Sequence, residues 1–127
     1  MKIYVKIAGM FASAVLCFGM AHVASAHVIV HPSEAGVASY QTFDMSVPVE
    51  KDFPTVALKL LIPDGVTNIS PTVKPGWTID VKKDENGNAT EIDWTGGSIP
   101  VGERDDFTFS GKVPAAATTL AWKAYQT

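Results

Sequence analysis

His27 follows Ala24-Ser25-Ala26, a small-residue triplet of the kind that ends a secretory leader. A chain cut after Ala26 would begin with a histidine whose free α-amino group and imidazole Nδ1 can close one chelate ring on a single ion. An internal histidine has no such amine. The ordinary pKa is about 7.7–8.0 for the amine and about 6.5 for the imidazole, so a metal can displace both protons near neutral pH. Two nitrogens completed by oxygen donors suit tetragonal Cu(II), which binds most tightly among the common divalent ions. The nearest candidates for a third donor are Glu34, Asp44 and Glu50. Glu50 ends Val47-Pro48-Val49-Glu50, where a turn after a strand can swing it toward a neighbouring strand end; the same place also suits an ordinary solvated carboxylate. His31 is the fifth residue after the cut. The amino-terminal copper motif that recruits backbone amides needs histidine third, and Ile29 holds that place. His31 therefore reads as a strand-end residue, at most a weak or outer ligand. Met45 alternates inward with Phe43 and Val47, which makes it core rather than a thioether ligand.

The first 26 residues have the other parts of a leader. Lys2 and Lys6 form a basic start, and residues 7–20 are apolar and uncharged. That run is short for a bilayer span. Leu16 before Cys17 is too bulky for a lipoprotein site. About a hundred residues remain, enough for one domain with a modest core. Removal of the leader takes Cys17 with it, so there is no disulfide, no thiolate zinc site and no cysteine-ligated copper. The formal charge is −3 for the whole chain and more acidic without Lys2 and Lys6. This balance argues against nucleic acid and against an electrostatic anchor on anionic lipid. There is no Gly-x-Ser-x-Gly elbow, no Cys–His pair and no Gly-rich phosphate loop. Asp84-Glu85 and Asp105-Asp106 read as solvated loop charge. The expectation is a protein that is not an enzyme.

The elements that must position these residues are strands. Residues 40–47 alternate, with Phe43, Met45 and Val47 on one face. Val56, Leu58, Leu60 and Ile62 form a second such face. Trp77, Ile79 and Val81 follow, then Ile92 and Trp94, Phe107 and Phe109, and Leu120, Trp122 and Ala124. Pro63-Asp64-Gly65, Pro75-Gly76, Gly96-Gly97 and Pro114 punctuate the runs. Residues 77–83 and 89–95 flank Asp84-Glu85-Asn86-Gly87-Asn88 and predict a hairpin, Asn-Gly being a strong turn signal. Seven or so short strands without helical periodicity predict an all-β, two-sheet antiparallel sandwich over residues 27–127. All three tryptophans sit on apolar faces and read as core anchors with their indole N–H groups satisfied. Leu120 to Thr127 reads as a last strand, expected to leave an exposed edge or an incomplete site.

The sequence resembles the YcnI-like copper-binding domain of bacteria. The resemblance rests on His27-Val28-Ile29-Val30 with Pro32, Val47-Pro48-Val49-Glu50 with Thr55, Pro63-Asp64-Gly65-Val66, and Pro75-Gly76-Trp77. It continues through Trp94-Thr95-Gly96-Gly97, Phe107-Thr108-Phe109, Val113-Pro114 and Lys123-Ala124-Tyr125-Gln126. It implies a sandwich shaped like cupredoxin and immunoglobulin domains. It also implies one Cu(II) held by the amine and imidazole of His27 together with Glu50. Members of the family continue past the Tyr-Gln strand into a further strand that carries a tryptophan near the copper. That tryptophan is not assigned to Trp77, Trp94 or Trp122.

The resulting expectation is an exported copper(II)-binding protein, periplasmic or otherwise outside the cytoplasm, acting as a metallochaperone or buffer in copper homeostasis. Its partners would be copper and other copper-handling proteins of the envelope, with no nucleic acid and no small-molecule substrate. A non-catalytic sandwich module that binds a protein partner is the alternative, since fold does not decide function. A histidine-brace oxidase would need a second histidine on the metal, and His31 is poorly placed for it.

Overall fold

Alternation of apolar and polar residues gives strands with one buried face, and the computed structural model folds accordingly. It describes residues 4–10, 23–24 and 28–127, the first two stretches as backbone only. The strands are β1 (Tyr4–Met10), β2 (Val23–Ala24), β3 (Ile29–His31), β4 (Glu34–Gly36), β5 (Tyr40–Pro48) and β6 (Thr55–Leu61). They continue with β7 (Thr67–Pro71), β8 (Thr78–Lys83), β9 (Ala89–Ile99), β10 (Arg104–Lys112) and β11 (Thr119–Gln126). The small sheet has the order β3-β5-β10-β7, and the large one β4-β1-β11-β6-β9-β8, with β2 also against β11.

The two inner faces meet in an aromatic core. Phe43, Met45, Val47, Phe107 and Phe109 from the small sheet face Leu58, Leu60, Ile92, Trp94, Leu120 and Trp122 from the large one, all at most 2 % exposed. Phe43 stacks on Phe109 at 5.3 Å, and Trp122 tilts against both at 5.1 and 5.4 Å. Phe107 lies edge-on between Trp94 and Trp77, at 5.5 and 5.1 Å. Such offset and edge-on pairs suit the ring quadrupoles. The expected core roles of Met45, Trp94 and Trp122 are therefore met, and Trp77 packs at the margin; the indole N–H groups of Trp94 and Trp122, however, are buried without an acceptor.

The hairpin forms where Asn-Gly placed it. Lys83 pairs with Ala89, Gly87 takes a φ of 82°, and Asp84 Oδ1 accepts from the amides of Asn86 and Asn88 at 2.9 and 3.0 Å. Pro75-Gly76-Trp77 and Trp94-Thr95-Gly96-Gly97 also come together. A Cβ on Gly97 would stand 2.2 Å from the Trp77 ring, so only glycine lets that indole lie on β9. Gly97→Ala is expected to cost about 2–3 kcal/mol by forcing Trp77 off Phe107, which chemical denaturation would measure.

One expectation needs correction. The period-two face of β6 breaks at its start. A register shift between Thr55 and Ala57 turns Val56 outward, 48 % exposed, and buries Thr55 instead. The cause lies in the backbone: the amides of Val56 and Ala57 both donate to the carbonyl of Thr127, at 2.7 and 3.1 Å. β11 has β6 on one side and β1 and β2 on the other. The β1–β11 pairing is parallel, the one departure from antiparallel order among the described pairs. β1 and β2 belong to the segment read as leader, so a chain starting at His27 would present that side of β11 without them.

Candidate metal centre

Register brings two distant parts of the sequence to one end of the sandwich. β3 runs antiparallel to β5 with Ile29 opposite Ser46, so the start of β3 lies at the Pro48 end of β5. Val28 is buried there, 3 % exposed. The loop bearing Glu50 begins at the same end, directly after Pro48. His27 lies outside the described residues. One peptide joins it to Val28, a step of about 3.8 Å between Cα atoms. Glu50 itself is exposed at the rim.

The neighbouring residues hold this end in place. Val49, 5 % exposed, has both backbone groups engaged by the turn before β10. Its amide donates to Glu103 O at 2.9 Å, and its carbonyl accepts from Gly102 N at 3.2 Å. Arg104 pairs with Pro48 in the ladder; its guanidinium donates to Ser46 Oγ and to Asp106 Oδ1, the latter at 2.6 Å. From the other sheet, Gln126 Nε2 donates to Pro48 O and to Thr55 Oγ1, both at 3.0 Å. Sequence reading quoted Thr55 and Gln126 in the family pattern without giving either a task. No sequence signal pointed to Thr55, because the period-two pattern of Val56, Leu58 and Leu60 places it on the outer face.

The other candidates lie elsewhere. His31 pairs with Asp44, four residues along β5 from Pro48 at the site end, or about 13 Å at ordinary strand rise. Asp44 accepts from Thr108 Oγ1 at 3.2 Å, and Glu34 lies on β4. Among the described residues no group of three or more His, Cys, Asp or Glu could hold a metal ion. A centre at this end would need further donors beside the Glu50 carboxylate. With nitrogen donors from residue 27, the set would suit a tetragonal ion with mixed nitrogen and oxygen ligands.

A second polar cluster sits on the outer face of the large sheet and is separate from Glu50. Glu91 and Asp93 flank a cleft of about 480 Å³ with Lys59, Leu61 and Tyr125. Lys82 Nζ lies 3.2 Å from Glu91 Oε2 and 3.2 Å from Asp93 Oδ2. Burial and its bond to Glu91 push the Asp93 carboxyl above the usual range, although Lys82 opposes the rise. Burial also acts to raise Glu91, but bonds from Asp93 and Lys82 and the charges of Lys59 and Lys82 leave it lowered. The two groups act oppositely on stability. The contribution of Glu91 is present above its ordinary pKa and is lost as pH falls through its lowered one. That of Asp93 is present below its ordinary pKa and is lost as pH rises through its raised one. Lys82→Met is expected to move the carboxyl titration of this pair to higher pH, read by carbon-detected NMR.

This arrangement defines a β-sandwich with one candidate metal centre at the end where β3 begins. Residues 27–127 match the family described as "Domain of unknown function (DUF1775)", and the chain belongs to this family, the YcnI-like domains. It is 38 % identical over 105 residues to "Copper-binding protein CutI" of Bacillus subtilis (strain 168), covering 81 % of this chain and 51 % of that protein. The chain thus spans about half the length of that relative. Among solved structures, it resembles an uncharacterized protein from Nocardia farcinica described as having an immunoglobulin-like fold. The TM-score is 0.64 at 26 % identity, over 72 % of this chain and 69 % of that one. The all-β sandwich expected from the sequence is thus an immunoglobulin-like one.

Proposed function

We propose that the protein is exported, loses residues 1–26, and carries one Cu(II) outside the cytoplasm as a metallochaperone or buffer. The α-amino group and imidazole of His27 would supply two nitrogens, and the Glu50 carboxylate an oxygen. The observation that carries this reading is the convergence of the β3 start and the Glu50 loop at one end of the sandwich. The kinship with a copper-binding protein supports the choice of ion. Copper is cargo here rather than a reactive centre.

Titration of the protein beginning at His27 with Cu(II), together with a native mass spectrum, tests the proposal. One ion per chain is expected. Glu50→Gln keeps the shape and removes the charge, and should weaken binding by about 10- to 100-fold, the range seen when a supporting group of a metal site is lost. Binding should also weaken as pH falls through the imidazole and amine range, because protons compete for both nitrogens. Affinity that stayed flat from neutral to clearly acidic pH would leave the nitrogen ligands without support.

A further inference from the structure

We infer that Gln126 is a positioning residue that sets the Glu50 carboxylate for metal binding. This rests on the copper reading above. Glu50, Lys51, Asp52, Phe53 and Pro54 are all exposed, so burial does not hold the loop between β5 and β6. Both of its ends are tied to neighbouring elements. Val49 is tied to the 102–103 turn on one side. On the other, Gln126 reaches across from the large sheet and bonds to both bases of the loop, Pro48 O and Thr55 Oγ1. A primary amide has two N–H donors, and these two acceptors use both. Thr55 is 5 % exposed, the one polar residue among the described buried ones, so its hydroxyl has little water to fall back on. Glu50 is two residues from Pro48, and metal–ligand distances tolerate only about 0.2 Å of error. A shift at the loop base therefore reaches the carboxylate.

Four forms of the protein beginning at His27 test this: unaltered, Glu50→Gln, Gln126→Met and the pair combined. Methionine keeps the length and packing of Gln126 and removes both donors. Cu(II) affinity by chelator competition should fall about 10-fold in Gln126→Met. Its electron paramagnetic resonance spectrum should move toward that of Glu50→Gln. The combined form should bind no more weakly than Glu50→Gln alone, since a residue acting through Glu50 has nothing left to act on. Thr55→Val, which removes one of the two acceptors, should give a smaller loss in the same direction and covers the case that Gln126→Met does not fold. Unchanged affinity in Gln126→Met, or losses that add fully in the combined form, would overturn the positioning role alone. Failure of the unaltered protein to bind Cu(II), or equal binding by Glu50→Gln, would overturn the copper site of the preceding section and this role with it.

Discussion

A protein carrying one extra residue ahead of His27 will bind Cu(II) at least about 100-fold more weakly than the protein that begins with His27. Groups that merely orient a metal ligand are worth 10- to 100-fold in affinity, and this change removes a ligand outright. The extra residue turns the α-amine of His27 into an amide, whose nitrogen can bind copper only after giving up its own proton. It moves the new amine one residue away, where it can no longer close a compact ring with the imidazole. The imidazole and Glu50 stay in place, and so does the sandwich, since the change falls before Val28, the start of the buried core. His27→Ala makes the complementary cut, keeping the amine and losing the ring nitrogen. Both variants should lose affinity with unchanged thermal stability of the metal-free protein. If only His27→Ala weakened binding, the imidazole would be acting alone, and the cleavage site would have no part in making the centre. Chelator competition with the purified proteins distinguishes these results.

The same contrast explains what could be read from residues alone. Short-range patterns carried the fold. Phe43, Met45 and Val47, and Phe107 and Phe109, alternate because each strand buries one face, and all five are fully buried. The turn at Asp84–Asn88 needed only the local chemistry of Asn-Gly and an aspartate oxygen. β7 was not expected, because Thr67–Pro71 is nowhere fully buried; it is a strand through its pairing with β10. Val56 looked like a core residue by its spacing, yet it faces outward because backbone bonds to Thr127 shift the register. These two cases depend on partners about 40 and 70 residues away, which a periodic pattern does not encode. The candidate site divides in the same way. Its donors could be nominated from residue type and the position of the cut. Its support could not, because Gln126 meets Pro48 and Thr55 only when the last strand of one sheet closes over the end of the other.

Trp94→Ala is expected to be the most damaging substitution in the core, costing about 3–5 kcal/mol. The indole is fully buried, lies on β9 opposite Leu58 of β6 and Ile79 of β8, and meets Phe107 across the sandwich at 5.5 Å. Alanine would leave a void in contact with both sheets, and an interior closed on all sides relaxes little into it. For a domain of about a hundred residues the melting temperature should fall by well over 10 °C, measurable by calorimetry. Trp94→Phe should cost much less. It leaves most of the ring in place and removes an Nε1–H that is buried with no hydrogen-bond acceptor, so one unfavourable group leaves along with the lost contacts. Below its transition the alanine variant should still bind Cu(II) with normal affinity, because the supports of the Glu50 loop come from Gly102, Glu103 and Gln126 rather than from Trp94. Added Cu(II) would then raise the melting temperature of Trp94→Ala as it does that of the unaltered protein, since an ion that binds only the folded state stabilises both by the same linkage. An affinity that fell in step with stability would instead mean that the site end and the tryptophan core unfold as one unit.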